Sequence, residues 1–316
     1  MEEKGTISAL NGNTLKGAIL AVVAATLWGV SGTFGQYIFQ QKGIQVEWMI
    51  TVRMLVSGVI LLALGGLRKP GELVTVWKNP KDARQLLLFS ITGMLAVQYT
   101  YFAAIKHSNA ATATVLQYAA PVLIAIYLAV KQKRLPGWTE SAAIVLAVTG
   151  TFLLVTHADL SSLAISPQAL VLGLASAVAL AIYTLQPIAL LNKYSSLVIV
   201  GWGMFLGGIA FSFVKAPWNI EGTWDEATLF SVLFIIIGGT LFAFYAYLSA
   251  VKWIGGQKAS LMASAEPLSA TLIAVVWLQT PFTWIDYLGG LCIISTLFIL
   301  SYPSKPNEKA ADSAVL

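Results

Sequence analysis

Ten apolar runs, each about as long as a helix must be to cross a bilayer, fill most of the chain. They lie at 17–38, 48–67, 85–105, 110–130, 138–156, 168–191, 195–214, 228–251, 258–278 and 284–302. About 20 residues rising 1.5 Å each cover the roughly 30 Å of hydrocarbon. In lipid the backbone must satisfy its own hydrogen bonds, so a spanning segment is a helix or part of a closed barrel. The runs lack the period-two alternation of barrel strands, which excludes the barrel. With 57% hydrophobic and 10% charged residues, the chain is far from the roughly 25% charged content that soluble domains carry. The expected fold class is an all-α integral membrane protein with ten transmembrane helices.

The ends are polar. Residues 1–16 are expected to be a cytoplasmic N-terminal segment and 303–316 a disordered cytoplasmic tail. The first apolar run is too long for the core of a cleavable signal and is read as a retained helix. The lone Cys292 lies inside an apolar run and carries no information on redox compartment. Basic residues favour the cytoplasmic side of membrane proteins. With both termini inside, 15 of the 19 Lys and Arg fall on that side. Only Lys42, Lys106 and Lys215 fall outside, and Arg53 sits within the second run. Reversing the topology reverses the split, so a multi-pass protein with both termini cytoplasmic is expected.

The second half of the chain repeats the first. Residues 93–153 align without gaps on 239–299 at a constant offset of 146. Gly93 matches Gly239, Tyr101 matches Tyr247, Lys106 matches Lys252, Pro121 matches Pro267 and Trp138 matches Trp284. Shared Leu and Val would follow from composition alone; shared Tyr, Lys, Pro and Trp in register would not. Five helices per copy means the second copy starts on the opposite side of the membrane. The repeats are then inverted, the arrangement of many secondary transporters, with a site near the midplane between the halves.

Several of these residues resemble a known family. Tyr101-Phe102-Ala103-Ala104-Ile105 followed by Pro121, and Tyr247-Leu248-Ser249-Ala250-Val251 leading to Glu266-Pro267, are similar to the repeats of the EamA-type drug/metabolite transporters. Trp28-Gly29 and Arg53 also fit that pattern. The resemblance covers about 17–302 and implies two EamA-like repeats, 17–156 and 168–302. It implies an inner-membrane carrier that commonly exports amino acids or other small metabolites. One departure stands out. Where the family often ends helices 4 and 9 with Gly-Glu, this chain has Lys131-Gln132-Lys133 and Trp277-Leu278-Gln279.

Ionisable groups inside a span are costly and are often functional. Glu266 lies about 12 Å from the cytoplasmic end of its run at 1.5 Å per residue, beside the helix-kinking Pro267. It is a candidate for contacting a substrate amine or exchanging a proton; the plain alternative is a structural carboxyl. Arg53 either snorkels to the interface or faces the cavity and binds a carboxylate; an ordering or structural role is the plainer reading. Trp28, Gln98, Tyr101, Gln117, Tyr118, Tyr183, Gln186 and Tyr247 form a polar-aromatic set. Gln98 with Tyr101, and Tyr183 with Gln186, are three apart and share a helix face. Such groups line a cavity for a small amphipathic solute or join helices by hydrogen bonds.

No P-loop, GxSxG motif or metal-ligand spacing is present. No cofactor and no catalytic residue is expected. The leading function is a secondary transporter exporting amino-acid-like or other small amphipathic solutes by alternating access, with proton coupling as an option. A channel is the alternative, and an intramembrane enzyme a weaker one. The partners are a small-molecule substrate and the lipid bilayer, with protons and a second copy in a homodimer as further options. Nucleic acid is not among them.

Overall fold

The computed structural model describes residues 2–133, 135, 137–156, 165–263 and 265–301, and among these every regular element is a helix. His157 and the tail 303–316 lie outside the described residues. In chain order the helices are α1 (Glu2–Gln40), α2 (Val46–Arg68), α3 (Pro70–Lys78), α4 (Pro80–His107), α5 (Ala110–Lys131), α6 (Trp138–Thr156), α7 (Pro167–Leu191), α8 (Ser196–Ser212), α9 (Glu226–Ile254), α10 (Lys258–Val276) and α11 (Trp284–Ser301). Seven helices among the described residues are long and apolar enough to cross a membrane, those of α1, α2, α4, α5, α7, α9 and α10. Shorter apolar helices cover Ser141–Leu153, Ser196–Ser212 and Trp284–Thr296.

Local sequence sets the helix starts. Asn109 Oδ1 accepts from Thr112 N at 2.8 Å, Ser166 Oγ from Ala169 N at 3.1 Å and Asp225 Oδ1 from Thr228 N at 2.8 Å. These side chains satisfy N–H groups that have no partner within the first turn. Two boundaries differ from the sequence expectation. Helix α1 begins at Glu2, so the polar N-terminal segment continues the first helix. The stretch expected to be a plain loop after Leu67 contains α3, which Pro70 opens at the first helical positions.

Five helices are irregular, and one of them, α7, breaks at Gln186–Pro187, between Leu185 and Ile188. Helices α4 and α9 widen into π-helical turns at Phe89–Leu95 and Ile237–Phe242. Helix α5 breaks between Gln117 and Ala120, and α10 between Met262 and Ala265, each just before a proline. Pro121 and Pro267 lack the N–H that would continue the ladder.

Helices α2 and α8 pack along their length, as do α6 and α11, and α1 packs on both α9 and α10 while α7 packs on α4 and α5. Small residues allow the close approach. A Cβ on Gly58 would stand 2.6 Å from the Phe205 backbone nitrogen, so α2 and α8 touch backbone to backbone. At one end of the bundle, Lys42 pairs with Asp225 at 2.6 Å and Thr223 N donates to Lys42 O at 2.8 Å. At the other end, Lys193 pairs with Asp82 at 2.8 Å, Tyr194 OH donates to the same carboxylate at 2.9 Å, and Ser195 N donates to Glu72 at 2.9 Å.

Candidate substrate cavity

Seven helices contribute side chains to one cavity in the middle of the bundle. Its walls are Trp28 and Ser31 from α1, Arg53 from α2, Val97, Gln98, Tyr101 and Phe102 from α4, Gln117 from α5, Leu180 and Tyr183 from α7, Phe244 from α9 and Glu266 from α10. The free space is about 30 Å³, room for water and too little for a metabolite.

Arg53 is 2% exposed. Its guanidinium stands 4.3 Å from the Phe102 ring centre and 5.8 Å from that of Phe244. The negative ring faces favour the cation, and the plane of the guanidinium suits stacking. No carboxylate among the described residues lies within ion-pair distance of it, and its Nε and Nη1 atoms are buried without a hydrogen-bond partner. The snorkelling alternative therefore does not describe this residue.

Glu266 is also 2% exposed. It opens the second half of α10, where the unpaired N–H groups of the new helix start favour an acidic side chain. Tyr118, at the break in α5, donates its hydroxyl to Ala263 O and lies 3.3 Å from Glu266 Oε2. The two broken helices are thus joined at their breaks. Helix α1 closes on the same point through Gly29, where a Cβ would stand 2.6 Å from Glu266 O and 2.8 Å from Ala270 N.

The remaining walls mix rings with polar atoms. Thr114 Oγ1 donates to Ala110 O at 2.6 Å, so Tyr101 OH is the donor in its 2.7 Å bond to Thr114. Gln98 Nε2 donates to Met94 O at 3.2 Å, which leaves its Oε1 without a partner. Trp28 Nε1, Ser31 Oγ and Tyr183 Oη are likewise buried and unbonded. Of the buried unbonded side-chain atoms among the described residues, only Trp77 Nε1 belongs to a residue outside these walls. Buried polar groups are normally paired, so this concentration marks the cavity as a place where a polar solute or water completes the bonding.

Of the ten residues singled out in the sequence, Trp28, Arg53, Gln98, Tyr101, Gln117, Tyr183 and Glu266 meet here, and Tyr118 touches Glu266 from outside the walls. Tyr247 stands behind the wall, stacked on Tyr183 with ring centres 5.8 Å apart and bonded to Thr184 at 3.0 Å. Gln186 lies elsewhere, on a lateral groove between α5 and α7, where Thr92 Oγ1 donates to it at 3.2 Å. Sequence reasoning missed Ser31, Val97, Phe102, Leu180 and Phe244. Ser31 had a usable signal, three residues from Trp28 on the same face; the others read as ordinary apolar positions.

A family model described as "EamA-like transporter family" matches the chain twice, over 15–156 and 167–302. The chain belongs to the EamA-like transporter family. The resemblance read from Tyr101, Pro121, Tyr247 and Glu266-Pro267 holds. An "uncharacterized inner membrane transporter YicL" of Salmonella typhimurium is 38% identical over 300 residues, covering 95% of this chain and 100% of the relative. An "uncharacterized transporter YwfM" of Bacillus subtilis is 24% identical over 307 residues, covering 94% and 97%. A crystal structure shares the fold with a TM-score of 0.63 at 17% identity, over 92% of this chain and 96% of that one. Membership in this EamA-like family makes the chain a multi-pass membrane transporter and sets the enzyme alternative aside.

Proposed function

We propose that the protein is a secondary transporter that exports small amphipathic solutes, amino-acid-like ones first, through the Arg53–Glu266 cavity by alternating access. The observation that carries the reading is one buried cavity holding a cation with no carboxylate partner, a carboxyl group and six unbonded polar atoms between aromatic walls. A fixed cation and a carboxyl group suit a solute with both a carboxylate and an amine, and the rings suit its apolar part. A carrier closed around its site has a cavity of this small size; an open channel needs a continuous water path, so the carrier reading is preferred.

The proposed architecture is ten transmembrane helices as two inverted repeats, 17–156 and 168–302, with both termini cytoplasmic in the inner membrane. Support comes from the doubled family match, the charge split, the name of the YicL relative and the symmetry of the packing. The fourth helix of each repeat breaks before a proline, at Pro121 and Pro267. The contacts of α1 with α9 and α10 are mirrored by those of α7 with α4 and α5.

Glu266 is proposed as the proton site. It is an ionisable group buried inside a span, at the cavity wall and 3.3 Å from the Tyr118 hydroxyl, the setting in which a carboxyl group is most often functional. The test is counterflow of amino acids by the purified protein in proteoliposomes across a range of pH. Saturable exchange that loses its pH dependence in Glu266→Gln is expected. Ohmic, unsaturable flux would sink the carrier reading, and a Glu266→Gln protein with unchanged transport and pH profile would sink the proton site.

A further inference from the structure

A second built pocket lies at the end of the bundle where α2 and α9 finish and α8 begins. It has a volume of about 230 Å³ and is lined by Arg68, Lys69, Ser195, Ser196, Ser249 and Lys252 among others. Three cations converge on it. Lys69 gives one bond to Glu72 at 2.9 Å and Lys252 gives one to Tyr194 O at 3.0 Å. Each ammonium has three donors, so each has two to spare. Glu72 is the acidic residue bonded to this group, and its second oxygen is held by Ser195 N, so three basic residues meet one acidic one.

Neutral donors point the same way. Ser195 is the N-cap of the 17-residue helix α8 and its side chain makes no capping bond; its own N–H is taken by Glu72, so what the start of α8 offers is the following first-turn N–H groups, which have no partner within the helix. Ser196 and Ser249 are only 7% and 5% exposed, and no hydrogen bond engages either hydroxyl among the described residues. A concave site offering guanidinium, ammonium, hydroxyl and helix N-terminal N–H donors together is made for a phosphate oxyanion.

The surroundings point to a lipid as its source. Arg68 closes a 23-residue apolar helix, and the pocket wall includes Trp253, 45% exposed. Indole rings and basic residues at a span end mark the headgroup level. Lys78, Lys81 and Arg84 extend the basic surface along α3 and the start of α4, as expected of a face that meets an anionic leaflet.

We infer that the pocket between Arg68, Lys252 and the N-terminus of α8 binds the phosphate of an anionic lipid headgroup. The site joins the ends of α2, α8 and α9, so a bound headgroup ties together helices from both halves of the chain. It is independent of the central cavity: Arg53 and Glu266 take no part.

The test uses the full chain in nanodiscs and in detergent. Thermal stability and lipid affinity are measured with phosphatidylglycerol, with phosphatidylcholine, and with inorganic phosphate alone. Phosphatidylglycerol is expected to raise the melting temperature and phosphatidylcholine is not. A charged hydrogen bond to the phosphate is worth roughly tenfold or more in affinity, so Arg68→Gln and Lys252→Gln should each weaken binding by at least about that factor. Lys78→Gln with Lys81→Gln, on the same face but outside the pocket, should leave the stabilisation in place. Equal stabilisation of wild type and the Arg68→Gln protein overturns the site. A full shift from inorganic phosphate in detergent overturns the lipid as its occupant.

Discussion

A guanidinium held between two rings with two of its nitrogens unbonded is stable only if something repays the lost water. Phe102 and Phe244 supply part of that through their ring faces, and a substrate carboxylate would supply the rest. Lysine keeps the charge but not the plane or the paired donors. Arg53→Lys should therefore fold and insert, yet raise the half-saturating concentration of a carboxylate-bearing solute by tenfold or more, consistent with a charged hydrogen bond worth about 1.5–3 kcal/mol. Unchanged saturation in a proteoliposome uptake assay would remove Arg53 from the site. Tyr118→Phe makes a contrast. Hydrogen bonds between membrane helices average about 0.6 kcal/mol, so its melting temperature should hardly move, while transport falls because Glu266 loses its partner. Most of these residues were legible in the sequence, because an Arg, a Glu or a Gln inside an apolar run needs a reason to be there. Gln186 shows the limit. It shares a face with Tyr183, but one turn is about 5.4 Å further along the axis, and there α7 faces a lateral groove instead of the cavity.

At the scale of the helix, the breaks matter more than the spans. The Ala263 carbonyl at the break in α10 accepts from the Tyr118 side-chain hydroxyl across the gap between α5 and α10, which is how membrane proteins tolerate unwound backbone next to a cavity. Helix α1 must reach that junction closely, and Gly29 allows it. Gly29→Ala would put a Cβ against the Glu266 carbonyl and the Ala270 nitrogen, backbone atoms that cannot swing aside. A cost of about 1–3 kcal/mol is expected, read as a lower melting temperature with loss of transport. Gly71→Ala is the control, since nothing stands within 4 Å of its Cβ. A Gly29→Ala protein as stable as Gly71→Ala would refute the close contact. Hydropathy located the apolar helices well, because length and apolarity are properties of a run. Pro121 and Pro267 flagged the breaks in α5 and α10. The π turns at Phe89–Leu95 and Ile237–Phe242 had no comparable signal, because they contain no proline to interrupt the ladder.

Across the whole molecule, the two ends are fastened by ion pairs of the same kind. In each, a lysine from the loop after the first helix of one half meets an aspartate at the start of the third helix of the other half: Lys42 with Asp225, and Lys193 with Asp82. Alternating access requires one end to open while the other stays shut, so weakening one pair should favour the state open at that end. Asp225→Asn and Asp82→Asn are then opposite perturbations. With Cys292 replaced by alanine and Ser31→Cys as a reporter in the cavity wall, Asp225→Asn should speed labelling by an impermeant thiol reagent from the Lys42 side several-fold. Asp82→Asn should do so from the other side. Acidity should not mimic the first change at ordinary pH. The Lys42 ammonium and the Thr228 N–H and hydroxyl hold Asp225 below the usual carboxylate range, and Asp225 raises Lys42 above the usual ammonium range. The carboxylate contribution is present above the unfolded value of about 3.9 and is lost only as pH falls through the lowered folded value. The ammonium contribution is present below about 10.4 and is lost only as pH rises through the raised one. Between pH 5 and 9 the pair stays charged, so it contributes no pH dependence of transport in that window. Labelling that speeds equally from both sides in either variant would show that these pairs are not fasteners of opposite ends.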